Sequence, residues 1–187
     1  MHGLNATKEN KQALKDAWKT SIGVFHTCNA NAKKEVAKAR SAYITAQITQ
    51  WNTVISNLKV KGFDTTGMEA LVTDAGKVTD ALNLALSAGS DDDFKTKVEE
   101  ARDLHLHLWA RFHIAKISAY VAKFESKAQS AGMDDTVTEI KSLLDTASNH
   151  AHAGRKYQEG EFQETWSAIK QASEKLKELA HSLKGKA

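Results

Sequence analysis

Eight histidines are the residues of this chain with the widest chemical range, because an imidazole can ligate a metal, move a proton or hydrogen-bond through either ring nitrogen. Two of them gain meaning from the helical pattern around them. An antiparallel hairpin folded about Met133 sets His113 level with residue 153, within one turn of His150. That pair could begin a transition-metal or haem site with His105 as a further donor, and no third ligand is assigned on the fifth helix. Without a metal, His113 and His150 read as boundary residues between core and water, and His105 as a core histidine with one satisfied nitrogen. His105 and His107 lie two positions apart, so on a continuous helix they point about 200° from each other and cannot share one ion. His26 and Cys28 have the same unfavourable spacing, and Cys28 reads as a small buried side chain. Asp91, Asp92 and Asp93 follow Ser90 and suit the positive end of a helix better than a cation site. Phosphate-binding loops, Ser-His-Asp spacing and paired CxxC motifs are absent from the sequence, so no catalytic residue is assigned.

The elements that would position these side chains are helices. The chain contains no proline and is 41% apolar, and its 26 basic and 23 acidic residues are intermixed with a net charge of +3. That pattern describes solvated helix faces rather than a nucleic-acid stripe, and no basic run with interleaved aromatics occurs. One cysteine excludes an internal disulfide framework. No apolar stretch approaches the roughly 20 residues of a membrane span, and no signal-peptide core is present.

Two turns repeat. Gly62-Phe63-Asp64-Thr65-Thr66 with Glu69 returns as Gly132-Met133-Asp134-Asp135-Thr136 with Glu139. Each glycine ends a helix, and Thr66 to Glu69 or Thr136 to Glu139 has capping-box spacing. The predicted fold class is all-α: tandem antiparallel helical hairpins forming one or two bundles with long shared helices. The first helix is expected from Thr7 to Val60, with a possible turn at residues 27–31. Its first stripe, Leu14, Trp18, Phe25, Ala32, Val36, Ala39 and Tyr43, gives way to Ile44, Ile48, Trp51, Ile55 and Leu58 on a face rotated by about 100°. A second helix spans 67–88. A third runs unbroken over 91–130, its apolar face turning by roughly 180° after Phe112. A fourth covers 136–157 and a fifth 161–183. The organisation expected is an N-terminal helix over 1–31, one helical unit over 32–112 and another over 113–187.

A helix passed from one bundle to the next resembles the spectrin arrangement in architecture. In sequence, Leu58-Lys59-Val60-Lys61-Gly62-Phe63-Asp64-Thr65 followed by an amphipathic helix, Ala-Gly and an acidic-to-basic helix resembles helical-hairpin segments of secreted or cell-surface proteins of archaea. The likeness covers residues 44–112 and, more distantly, 114–183. It implies an envelope-associated binding or spacer module with no catalytic residues to carry over, and a secreted or cell-surface location; the sequon Asn5-Ala6-Thr7 would be usable there.

The functional expectation is a non-enzymatic module that recognises a protein partner or forms a homodimer through helix faces. Leu14, Trp18, Ile22 and Phe25 are the expected contact stripe, because in the spectrin-like arrangement the first helix extends past the helices that could cover it; a turn at residues 27–31 would instead pack the same stripe internally.

Overall fold

A computed structural model describes residues 8–152 and 155–184, apart from the side chains of residues 8–14 and 25. The described residues form six helices and no strand: α1 Lys8–Val60, α2 Thr66–Leu86, α3 Asp91–His105, α4 Leu108–Ser130, α5 Asp134–His150 and α6 Glu161–Lys184. The protein is an all-α bundle.

Helix α1 continues without interruption through residues 27–31, where a turn was possible. Thr27 stays helical by returning its hydroxyl to the Gly23 carbonyl at 2.9 Å, a bond that relieves its competition with the backbone. At 53 residues the helix is about 80 Å long. Only its C-terminal half enters a core. Ala37, Ser41, Ile44, Trp51, Ile55 and Leu58 are buried at alternating four- and three-residue steps, with partly buried Ile48 filling the one gap. They pack on α2, whose Met68, Leu71, Ala75, Val78, Leu82 and Ala85 face inward as their spacing predicts, and Phe94 and Ala101 of α3 close the same cluster.

The predicted unbroken third helix is two helices. His107 takes a left-handed conformation at φ 64°, between α3 and α4. The break re-aims α4 so that two opposite faces are buried. Leu108, Phe112 and Ala119 join the α1–α2–α3 cluster, while Ala110, Ile117, Val121 and Ala128 join a second cluster with α5 and α6. Both stripes advance by steps of four and seven, and their residues interleave along α4. Val137, Ile140, Leu144 and Ala147 of α5 meet Ala168, Ile169, Ala172 and Leu179 of α6 across the second cluster. The α5 helix stops at His150, short of the expected 157, and the chain from Ala151 to Gly160 is non-helical where described.

The two similar turns share one geometry. Gly62 and Gly132 have φ of 72° and 70°. Phe63 N–H reaches the Leu58 carbonyl at 3.1 Å and Met133 N–H the Ala128 carbonyl at 2.9 Å, while each glycine N–H bonds three residues back. This closure satisfies carbonyls that a helix end leaves free. The expected capping boxes do not form. Asp64 instead accepts from Thr66 N–H at 3.0 Å and from its hydroxyl at 2.7 Å, and the Thr65 hydroxyl donates to Glu69. Helix α5 begins at Asp134, which leaves Thr136 inside the first turn and Glu139 free to pair with Lys175 of α6 at 2.7 Å.

No atom lies within 4 Å of where a Cβ on Gly132 would stand, so that position isolates backbone strain from crowding. Gly132→Ala is expected to lower stability by about 1–2 kcal/mol, the cost of a left-handed L-residue. Urea unfolding that gives an unchanged midpoint would contradict this account of the turn.

Candidate functional site

The part of α1 that precedes Ala37 carries exposed apolar side chains. Trp18 is 69% exposed, Ile22 40% and Val36 66%. None of the described side chains from residue 15 to 36 is buried. Trp18 and Ile22 therefore stand on an open helix face, as do Val36 and Tyr43; Leu14 and Phe25 belong to the same stripe, but their side chains lie outside the described residues. Cys28 is exposed, contrary to its reading as a small buried residue, because it lies on the part of α1 where no described side chain is buried. Residues 8–36 amount to roughly 43 Å of helix beyond the core.

Where this stripe meets the body, α1 and α3 diverge. Both pack on α2 but leave a groove of about 660 Å³ between them, with Val36, Ala37, Phe94 and Val98 along its walls and Lys34 and Glu99 among its charged rim. Val36 belongs to the open stripe and to the groove, so the two surfaces are continuous.

The histidines acquire separate partners. His113 lies between two indoles, with ring centroids 5.4 Å from Trp109 and 5.7 Å from Trp166; burial, aided by the Lys116 charge, pushes its pKa below the ordinary value. His150 faces carboxylates with both nitrogens, Nδ1 at 3.2 Å from Glu161 and Nε2 at 3.2 Å from Glu164. His105 is half-buried, its pKa lowered by burial and then by Arg40. His152 is exposed. No contact joins His113 to His150, and among the described residues no group of three or more His, Cys, Asp or Glu side chains is arranged to hold a metal ion.

Sequence periodicity missed His107. It is buried, its Nε2 donates to the Arg155 carbonyl, and its ring meets Tyr157 edge-on with centroids 3.9 Å apart. A left-handed histidine is legible only once the helix is known to break there. The rings of Trp51, Trp109, His113, Trp166, Phe162, Tyr157 and His107 then follow one another from α1 through α4 and α6 to the segment before α6 and the α3–α4 joint, each centroid within 6.3 Å of the next. Trp109 is 42% exposed, in keeping with its offset from the apolar stripe, and Phe162 is 53% exposed.

Glu161 organises the segment between α5 and α6. Its Oε1 accepts from Arg155 at 2.8 Å, and its Oε2 from the Gln158 N–H at 2.6 Å. The Arg155 guanidinium, then the Gln158 N–H and, against a smaller opposing effect of burial, the His150 imidazole pull its pKa from the ordinary 4.5 down to about 2.

Compared with protein-family models, curated proteins and solved structures, the chain shows no significant match. No helix among the described residues is long and apolar enough to cross a membrane.

The Glu161 carboxyl is more acidic folded than unfolded. Its stabilising effect is fully present above about pH 4.5 and disappears as pH falls toward about 2. Thermal midpoints measured through this window should therefore fall more steeply for the wild type than for Glu161→Gln. Parallel curves would show that the Arg155 and Gln158 contacts do not hold the carboxylate in solution.

Proposed function

We infer that this protein is a non-enzymatic recognition module whose working surface is the outer face of α1, and that a second helix, in the simplest case from another copy of the chain, lies along it. The observation that carries this reading is the open N-terminal half of α1, where Trp18 and Ile22 face solvent.

Two physical arguments support it. An isolated helix is marginal in water, since most helical stability in proteins comes from packing an apolar face. None of the described side chains of residues 15–36 is buried. A contiguous apolar stripe that leads into a groove is also the shape that accepts an amphipathic helix, with anchors every three or four residues. Trp18 is the residue best suited to anchor the contact, because a large aromatic ring buries the most area for the least lost conformational freedom. The open length of α1 also suits a spacer that holds the bundle at a distance from whatever its N-terminal half contacts. A secreted or cell-surface setting follows from the resemblance in the sequence and belongs to the same proposal.

Sedimentation equilibrium over a wide concentration range tests the self-recognition form. The wild type is expected to associate as concentration rises, and Trp18→Glu to remain monomeric with its helical circular dichroism almost unchanged. A wild type that stays monomeric throughout removes self-association and leaves a different protein as the occupant. A variant that loses its fold would show that Trp18 belongs to a core.

A further inference from the structure

The open half of α1 is complementary to itself in size. Trp18 and Ile22 stand exposed toward its N-terminal end, while small Ala30 and Ala32 line the start of the α1–α3 groove further along the same helix. Trp18 and Val36 are about five turns apart and so face the same way, which turns the large side chains and the groove toward one neighbour. A second copy laid parallel would set Trp18 against Trp18 and bring no large group to the groove. Laid antiparallel, it sets each Trp18 against small residues of the other copy, and a two-fold axis makes both contacts at once.

We propose that two copies of the chain pair antiparallel along α1, with the two-fold at about the level of residue 25, so that the stretch around Trp18 of each copy occupies the α1–α3 groove of the other. This pairing rests on the reading of α1 as a self-recognition face, and it adds the direction, the register and the seat. In that register Trp18 is level with Ala32 of the other copy, and Ile22 with Cys28. The same apolar surface leaves water twice, once on each copy, including Trp18, Ile22 and Val36.

Charge selects the same arrangement. Ser41 donates to Asn83 at 3.2 Å and thereby sets α1 against α2, and Lys38 and Leu86 border one hollow. The next turn therefore starts α3 level with about Lys33 and Lys34, where Asp91 and Asp92 line the groove. Ala17 of the other copy comes to this level, between Lys15 and Lys19. The side matches as well as the level. Lys15 and Lys19 lie about 60° and 100° round α1 from Trp18, just as the groove-lining Lys33 and Ala37 lie about 60° and 100° round from Val36 in the same sense. A two-fold perpendicular to both helices keeps that side in common, so the two lysines of one copy come over the Asp91–Asp92 wall of the other. Lys33, Lys34 and Lys95 share the rim, so the match is between particular groups and not between net charges.

The single cysteine, exposed Cys28, reports the direction of pairing. The two Cys28 residues of the antiparallel dimer are out of level by about 9 Å of helix, too far for a disulfide, whereas position 22 of one copy is level with Cys28 of the other. Mild oxidation of the whole chain carrying Ile22→Cys is expected to give covalent dimers whose peptide map joins position 22 to Cys28, and the wild type should give almost none. Sedimentation equilibrium then tests the seat. Lys15→Glu with Lys19→Glu should weaken association about tenfold, and adding Asp91→Lys with Asp92→Lys to the same chain should restore most of it. A Cys28–Cys28 bridge in an associating wild type would overturn the antiparallel arrangement and leave self-recognition standing. Absence of the rescue would remove the α1 stretch from the groove. A wild type that is monomeric at every concentration and forms no bridge would take away self-recognition itself, and this pairing with it.

Discussion

Burial of α4 on two opposite faces is the constraint from which the rest of this architecture follows. A helix that offers Leu108, Phe112 and Ala119 to one side and Ile117, Val121 and Ala128 to the other has no face left for an extensive solvated surface. It must be surrounded. The α1–α2–α3 layer covers one side and the α5–α6 hairpin the other, and because the two stripes interleave, neither layer can be displaced along α4 without disturbing its contacts. The Trp51–Phe112 stack, at 4.3 Å between centroids and 6° between planes, fixes the level at which α1 crosses α4. Lys123 adds a polar tie by donating to the Gly62 carbonyl at 3.1 Å, and Arg111 faces Asp74 of α2 at 3.6 Å.

That arrangement imposes the break at Leu106 and His107. Residues 91–105 have an apolar face suited to α2, and residues 108–130 have two. A single straight axis would not let both halves sit at their proper distance from α1 and α2. The chain accommodates the change with one left-handed histidine, a conformation that is uncommon for a residue with a side chain. The Arg155 carbonyl and the Tyr157 ring hold it, so the loop between α5 and α6 supports the joint between α3 and α4. Glu161 in turn holds the loop, through Arg155, Gln158 and His150. Local strain at the joint is thereby offset by contacts distant in sequence.

The same economy explains why the N-terminal half of α1 is bare. Helices α2 and α3 are 21 and 15 residues long, and α1 is 53. Among the described side chains of α1, Ala37 is the first that is buried. Residues 8–36 are helical, while the described side chains of residues 15–36 are left unburied by the tertiary fold.

Much of this was legible in the sequence, for reasons of local chemistry. Glycines at 62 and 132 ended helices because only glycine takes a left-handed cap without strain. Ser90 ahead of three aspartates began one because its hydroxyl accepts from the Asp93 N–H, 3.2 Å away. Apolar spacing marked the buried faces of α2 and α5, whereas in α6 the large residues Phe162, Trp166 and Leu176 sit at the edge of a buried face made by Thr165, Ala168, Ile169, Ala172 and Leu179. The tertiary structure decided what periodicity does not encode. It broke the helix at His107, since the sequence there is as helix-compatible as its neighbours and only packing on two layers makes a straight axis untenable. It gave His113 two indole neighbours and His150 two carboxylates, partners that depend on helix rotation and on the path of a loop. It left Val36 and Tyr43 in solvent although they share a stripe as regular as any core, because an apolar face is buried only where a second surface reaches it.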